Sequence, residues 1–430
     1  MKVLVTGANG FIGSAVVEAL LRAGHEVVAC VRSARNLPPS AALHAVERDI
    51  GAMVEPGHWL ALLDGVDHVV NCAGILREPR RGDFARVHVD APWALVQACR
   101  QRGVARFVQV SALGDPRDGE FIASKHRFDA LLQGSGVPAV ILRPSVVLSV
   151  RGSYGGTSLL RALAALPVIV ALPGDGSQRI QPILLEDLAE LVLRCLASSA
   201  TDGDVLEATG PERMTLSDYL ALQRAWLRLG EPLWLRIPLP MVRLAAWIGG
   251  RIGGGPFGPT ITGMLERGNV AADGEPERVV AATGFAPRCV RRELGQAASF
   301  VQDRWHARLH LLRVPLRLLL VVIWILSGIA GLLATATDYA PILDPLHVPA
   351  AWQHSLVLAT SALDIGLGLG LLVRWRPRAI LALMLASVLA YSVLLGIFAP
   401  ALWLDPLGGL LKNFGVLGLL LAYAAIDDPR

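Results

Sequence analysis

Lysine is nearly absent from this sequence: of 40 basic residues only Lys2, Lys125 and Lys412 are lysines. Charge of either sign is also scarce, at 18% of the 430 residues against about 25% in an average soluble chain. That scarcity argues against a single water-soluble globule. The formal net charge of +4 is too small and too evenly spread for a phosphate-tracking surface, which excludes nucleic acid as a partner. Five cysteines, Cys30, Cys72, Cys99, Cys195 and Cys289, lie far apart without CxxC spacing or a Cys/His cluster, so neither a metal site nor a disulfide framework is expected. A reducing compartment fits that usage.

What is plentiful is hydrophobicity, 53% of the residues, and it is unevenly placed. Residues 1–310 carry 33 basic and 30 acidic side chains, whereas the last 120 residues carry 7 and 6. Twenty uncharged residues, 318–337, reach ~30 Å as a helix, the thickness of a bilayer's hydrocarbon core. Further spans are expected at 355–373, with Asp364 at its middle, and at 379–399. A fourth, at 407–426, keeps Lys412 near its start, where a long side chain snorkels to the headgroups. Arg304, Arg308, Arg313 and Arg317 precede the first span; Arg374, Arg376 and Arg378 fill the second connection, and Arg430 follows the fourth span. The first and third connections hold no Lys or Arg, so the positive-inside rule puts both termini and the N-terminal part in the cytoplasm of an inner-membrane protein. No signal peptide is expected, because the apolar start VLV is broken at once by Thr6 and Gly7. The expected organisation is an α/β domain over 1–300, a linker over 301–312 and a four-helix membrane domain over 313–430.

The chain opens with a buried-strand pattern, Lys2 to Thr6, then Gly7, Gly10 and Gly13 in TGANGFIG, then a helix-period run through Ile12, Val16, Ala19 and Leu20. Strand, glycine turn and helix in that order are what a dinucleotide requires. The glycines permit a tight turn and a close backbone approach to the pyrophosphate, and the helix N-terminus offers unpaired N–H groups. The next strand, Glu26 to Val31, ends in Arg32, where an NAD-selective site carries an acidic residue. A guanidinium there, with Arg35 nearby, pairs with a 2′-phosphate, which favours NADP(H) over NAD(H); a solvated surface arginine is the alternative. Apolar strands at 67–71, 107–110 and 140–142, separated by helical stretches, complete the βαβ alternation of a doubly wound parallel sheet.

These residues resemble the extended or atypical short-chain dehydrogenase/reductase family. The likeness covers about residues 1–300 and rests on TGANGFIG, ERDIG around Asp49 and Ile50, NCAG with Cys72, Ala73 and Gly74, VSALG at Ser111, and ILRPSVVL around Pro144. RIQPILLEDLA and TGPERMTLSDYL are similar to the subgroup named for the NADPH-binding accessory subunit of respiratory complex I. The resemblance implies a cofactor-binding set of Thr6, Gly7, Asn9, Gly10, Phe11, Ile12, Gly13, Asp49, Ile50, Cys72, Ala73, Gly74, Lys125 and Pro144, joined by Arg32. It also implies a small substrate-covering lobe over about 150–300, and a Tyr-x-x-x-Lys pair with an upstream Ser, in which tyrosine handles the proton and lysine holds the nicotinamide ribose.

Here the matching segment is Phe121-Ile-Ala-Ser-Lys125. Lysine is kept and the phenol is lost, and a phenyl ring neither donates nor accepts a proton. Lys125 and Ser111 are the catalytic candidates; Ser124 and His126 flank Lys125 but point about 100° away around the helix. Two readings follow: a reductase whose proton comes from water or substrate, or a cofactor-holding domain without turnover. The apolar stretch Trp234 to Ile248 reads first as core packing, with a pocket lining or a headgroup contact as alternatives. The C-terminal hundred residues resemble the DoxX-like family of four-helix membrane proteins, through LDIGLGL around Asp364 and the run Ala399 to Tyr423. Asp364, Tyr391 and Lys412 are the membrane candidates, because a carboxyl at mid-membrane costs ~2.5–3.5 kcal/mol and marks a site by default. A packing role for Asp364 stands beside a proton or quinone role. The expected partners are the bilayer, an apolar or quinone-like small molecule, and membrane subunits.

Overall fold

Val3, Leu4 and Val5 have no solvent exposure, and the strand they belong to, β1 (Lys2–Thr6), lies inside a seven-stranded sheet. The computed structural model describes residues 1–252, 263, 266–404 and 409–427. The other strands of the sheet are β2 (Glu26–Val31), β3 (Leu43–Glu47), β4 (His68–Asn71), β5 (Arg106–Val110), β6 (Ala139–Leu142) and β7 (Val205–Leu206). Their order is β7-β6-β5-β4-β1-β2-β3, and every neighbouring pair is parallel. The chain runs outward from β1 to β2 and β3, then returns to β4 on the other side of β1. That reversal opens a crevice at the carboxyl ends of β1 and β4, where doubly wound sheets take their ligands.

Alternation along the strands fills both faces. Val3, Val5, Val27 and Ala29 meet Val16, Val17 and Leu20 of α1 (Phe11–Arg22) and Leu188, Leu191 and Val192 of α2 (Leu185–Ala197). On the other face Leu4, Val28, Val69 and Phe107 pack with Leu95 and Cys99 of α3 (Ala91–Arg102), Phe128 and Leu132 of α4 (Glu120–Gln133), and the fully buried Trp59. Burial on both faces explains why these strands read as continuous apolar runs. All five cysteines are free.

The lobe after β6 has its own core of Leu160, Val170, Leu172, Tyr219 and Trp226, with the Arg161 guanidinium 4.8 Å from the Trp226 ring. Its outer ribbon corrects the expectation of core packing for Trp234 to Ile248. Leu233–Ile237 pairs in parallel with Ile169–Pro173, Leu233 opposite Ile169 and Leu235 opposite Ala171. Leu233 is 67% exposed and Leu235 and Ile169 are exposed with it, while Val170 and Leu172 point inward. In the following helix Val242 and Ala246 are buried, and Met241, Leu244 and Trp247 are exposed. The side chain of Ile248 and residues 253–259 lie outside the described residues.

The chain divides into two compact units, Met1–Ala307 and Arg308–Arg430. The expected linker over 301–312 is instead helical, because α5 (Val301–Leu333) runs unbroken for 33 residues; Asp303 caps its start by accepting from the Phe300 N–H at 2.8 Å. Pro315 lies within it without ending it. The second unit continues with a short helix at Ala336–Leu343, then α6 (Ala350–Leu372), α7 (Pro377–Phe398) and α8 (Lys412–Ile426). Helices α5, α6 and α7 are long and apolar enough to cross a membrane. The fourth is shorter than expected: its 15 residues reach about 22 Å, against ~30 Å for a hydrocarbon core. The chain folds back before it, Pro400–Trp403 forming a tight turn in which the Trp403 indole donates to the Gly396 carbonyl and stacks on Phe414 at 5.9 Å. Residues 407 and 408 of the expected span, and Arg430, lie outside the described residues. Leu320, Trp324, Leu371, Met384, Leu420 and Tyr423 form the core of this unit, and at Gly331 a side chain would overlap the Ser361 hydroxyl, so α5 and α6 approach closely.

Candidate functional site

β1 ends at Thr6, and the chain turns through Gly7 at φ +64°, a left-handed conformation that glycine adopts without strain. A Cβ at Gly7 would lie 2.9 Å from the Ala73 Cα, and one at Gly13 would overlap the Gly7 carbonyl oxygen. Both glycines are therefore required by close backbone approach. Gly10 precedes α1 with extended backbone, gives no side-chain cap, and no acidic residue lies in the first turn. The N–H groups at Phe11, Ile12 and Gly13 thus face outward at a positive helix end, where an anion fits. The Asn9 amide donates to the Ser33 carbonyl at 3.0 Å, tying this turn to the end of β2.

Strand ends are locked by side chains. The Thr6 hydroxyl donates to Asn71 Oδ1, and Asn71 Nδ2 donates to Gln109 Oε1 at 2.7 Å, a buried chain across β1, β4 and β5. Lys125 on α4 is buried, and its ammonium donates to the Ala73 carbonyl at 3.1 Å and the Val110 carbonyl at 3.0 Å. Burial lowers the Lys125 pKa to about 8, with the Asp129 charge opposing the shift. The Cys72 thiol is pushed up to about 12 by the same burial, so it is protonated at neutral pH. A Cβ at Gly74 would come within 3.2 Å of Lys125 Nζ, so a larger residue there would crowd the ammonium.

Phe121, one turn before Lys125, sets its ring edge-on to the His88 imidazole at 5.6 Å. His88 Nε2 accepts from the Ile75 N–H at 3.0 Å, so Nδ1 carries the proton and donates to Ser124 Oγ at 2.8 Å. Burial, reinforced by the Lys125 and Arg127 charges, drives the His88 pKa down to about 2. The imidazole is neutral and holds the Cys72–Ile75 turn; it does not replace a tyrosine as an acid. Ser111 donates its hydroxyl to Asp129 Oδ2 at 2.8 Å, and Asp129 is paired with Arg143 at 2.9 Å. In this arrangement the Ser111 proton is directed to a carboxylate. His126 Nε2 donates to the Ala112 carbonyl at 3.0 Å.

The remaining expected residues lie along the same sheet edge. Arg32 and Arg35 are exposed beyond β2, while the nearby Glu47 carboxylate accepts from the Ala34 N–H at 2.7 Å. Asp49 accepts from the Gly51 N–H at 3.2 Å and starts the turn holding the half-buried Ile50. Pro144 is buried after β6, its carbonyl accepting from the Leu113 N–H at 3.0 Å. Sequence reasoning missed His88, Asn71, Gln109, Asp129 and Arg143, and also Tyr154, which stacks on Phe11 at 6.4 Å beside the helix start. Asp129 alone had a readable signal, its four-residue spacing from Lys125 on one helical face.

Residues 3–207 match the NAD dependent epimerase/dehydratase family, and residues 321–421 match the DoxX-like family. The chain joins an epimerase/SDR-like domain to a DoxX-like domain. Among relatives, it is 30% identical over 263 residues to the divinyl chlorophyllide a 8-vinyl-reductase of Oryza sativa subsp. indica, across 57% of this chain and 63% of that protein. It is 27% identical over 271 residues to NADH dehydrogenase [ubiquinone] 1 alpha subcomplex subunit 9 of Rattus norvegicus, across 60% of this chain and 68% of that protein. The chain thus spans less than two thirds of the length of the rice reductase. UDP-glucuronic acid 4-epimerase from Bacillus cereus, solved with NAD, shares the fold at TM-score 0.54 and 18% identity, over 72% of this chain and 99% of that one.

In the DoxX-like domain Asp364 accepts from Ser327 Oγ at 3.1 Å, a contact between α5 and α6. Tyr391 is half-buried on α7. Lys412 is exposed at the first residue of α8, and among the described residues no ion pair joins it to Asp364. Its neighbour Asn413 donates to Ser392 Oγ at 2.9 Å instead.

Proposed function

We propose that this chain is a membrane-anchored, NADP(H)-preferring reductase acting on an apolar, quinone-like or lipid-like carbonyl compound. The observation that carries the reading is the Lys125 ammonium, fixed on two strand-end carbonyls beside a glycine turn that leaves no room for side chains. Lysine is rare in this chain, and one buried here without a carboxylate in direct contact is retained for its charge. Thr6, Gly7, Gly10, Gly13 and the first-turn N–H groups of α1 would hold the pyrophosphate, and Lys125 the nicotinamide ribose. When bound, NADP(H) supplies a two-electron hydride donor. Phe121, Ser111 and His88 leave the proton to water or to the substrate itself.

Arg32 supports the preference for NADP(H). Arg32→Asp is expected to lower the NADPH-to-NADH affinity ratio by roughly 10- to 100-fold, through loss of a charged hydrogen-bonding partner, and titration of both coenzymes checks this. The exposed apolar ribbon at Ile169, Leu233 and Leu235 supports a greasy substrate. So do the names of two relatives, a vinyl reductase of a chlorophyllide and a subunit of a ubiquinone dehydrogenase. The arginines in the first half of α5 and around the α6–α7 connection support an inner-membrane location with both termini in the cytoplasm.

One observation favours a second reading, a coenzyme-binding scaffold for a membrane assembly: Phe121 packs on the neutral His88 where a proton donor would stand. The test is NADPH oxidation by the full chain in lipid with a short-chain quinone analogue. Turnover supports the reductase; tight NADPH binding without turnover across quinone and lipid carbonyl panels supports the scaffold. Phe121→Tyr is expected to raise the rate by roughly 100-fold by restoring a general acid one turn from Lys125, read as kcat on the same substrate.

A further inference from the structure

An outer strand of the lobe and the helix that follows it both carry apolar side chains on the outside. On the strand Leu233–Ile237, Leu233 pairs across to the exposed Ile169 and Leu235 to the half-buried Ala171, so their apolar surface is continuous by register. Trp234 is 41% exposed on the other face. In the helix Leu239–Ile252, Val242 and Ala246 are buried one turn apart, while Met241 and Leu244 are 59% and 57% exposed. Within 233–244 every residue except Arg236 and Arg243 is apolar.

Neither element has the pattern of a solvated surface. A strand with one wet face alternates apolar and polar residues, and a surface helix is polar opposite its buried stripe. The strand's outer edge also has no ladder partner among the described residues. An exposed apolar edge strand captures other chains unless something covers it, so this patch calls for an occupant. The charges around it indicate which kind. Arg243 is matched by Glu266 at 2.7 Å, Asp175 lies within electrostatic range of Arg236, and the exposed Arg228 and Glu231 offset each other. A rim this near to neutral gives a protein partner no charge pattern to recognise, whereas entry into lipid requires only apolar area. Tryptophan and arginine set among leucine and methionine, without an acid, are the composition that settles at a bilayer's interface. The DoxX-like domain carries helices long and apolar enough to cross a membrane, so a lipid surface accompanies every copy of the chain at high effective concentration.

We propose that Ile169, Leu233, Leu235, Met241 and Leu244 dock on the surface of the bilayer, with their side chains among the upper acyl carbons. The free edge of the strand stays at headgroup depth, where water and headgroups satisfy its N–H and C=O groups as hydrocarbon would not. Because the rim is nearly neutral, docking does not require anionic lipid. This inference uses only the membrane character of the DoxX-like domain and stands whether or not the chain turns over a coenzyme.

The test places the full chain in phosphatidylcholine nanodiscs at one chain per disc, without nucleotide. Leu235→Cys is labelled with the fluorophore NBD, and the unsubstituted chain, whose free Cys72 and Cys289 are half-buried, gives the background. Discs containing lipid with a nitroxide near the headgroup are expected to quench the label at least roughly twofold, since an interfacial segment reaches ~5–10 Å into the headgroup and acyl boundary. Adding Leu233→Glu and Leu244→Glu to the labelled chain is expected to restore most of that fluorescence, because a carboxylate opposes entry into lipid. Quenching that both glutamates leave intact overturns the proposal, as does a label open to aqueous iodide and untouched by the nitroxide. A label shielded from both quenchers also overturns it and assigns the patch to contact with protein in the same chain. Shielding that appears only when discs hold two chains overturns it in favour of a second copy. Where Leu235→Cys fails to fold or to label, the same measurement on Met241→Cys decides.

Discussion

Replacing Lys125 with alanine is expected to lower NADPH-dependent turnover by roughly 100- to 10,000-fold while coenzyme binding weakens far less. The asymmetry follows from where the ammonium sits. Its contacts at 3.0–3.1 Å are to the carbonyls of Val110 and Ala73, so it orders the ends of β5 and β4 around whatever occupies the crevice. The glycine turn and the α1 N-terminus, which would carry the phosphate contacts on the proposed reading, are separate from these two hydrogen bonds. The pH profile adds a readout that a merely structural lysine would not move. Burial sets the Lys125 pKa at about 8, below its ordinary 10.5. The charged form is therefore lost as pH rises through about 8, and kcat is expected to fall there rather than two units higher. A conservative Lys125→Arg keeps charge beyond that pH, so its residual activity is expected to stay flat where the native rate declines. A native rate flat to pH 10 would remove the ammonium from the mechanism, pH 10 being roughly where an unperturbed lysine starts to lose its proton.

Much of this site was legible in the sequence because its chemistry is tied to local spacing. Gly7, Gly10 and Gly13 announce a turn and a helix start within seven residues, and Lys125 stands out through rarity and through its position four residues after Phe121. His88 gave no such signal. It reaches the site from a π-helical stretch, Arg86–Asp90, by contacts to Ile75 and Ser124 that are distant in sequence. Ser111 was readable as a candidate, but its partner was not, since Asp129 and Arg143 meet it only once β5, α4 and β6 are assembled. The sheet was readable where strands are long and apolar; β7 has two residues and shows no period. The outer ribbon misled for a physical reason. Hydrophobic composition reports a preference to leave water, not which neighbour is present to permit it, and Leu233 and Leu235 remain exposed. Likewise a linker was expected over 301–312, yet that segment lacks Gly and Pro and α5 simply begins there.

Gly13→Val is expected to raise the dissociation constant for NADPH by at least roughly 100-fold, equivalent to ~2.7 kcal/mol. Gly13 is the third residue of α1, and any Cβ there overlaps the Gly7 carbonyl oxygen and crowds the Ala8 Cα at 3.1 Å. Both neighbours are backbone, so no side chain can rotate away to relieve the clash. The helix must withdraw from the turn, and its uncapped first-turn N–H groups go with it, which removes the phosphate contacts directly. A loss caused by general unfolding is separated by two companions. Gly57→Ala, where a Cβ meets nothing within 4 Å, controls for glycine replacement as such and is expected to bind as the native chain does. Far-UV circular dichroism and limited proteolysis of Gly13→Val report whether the sheet persists, as the buried core of Val3, Val5, Val70 and Val108 lies beneath the turn and not within it. Loss of affinity with retained structure locates the coenzyme at the α1 N-terminus. A Gly13→Val protein that is folded and binds NADPH with native affinity would show that the dinucleotide, if held at all, is held elsewhere, and the reading of Lys125 as its ribose partner would fall with it.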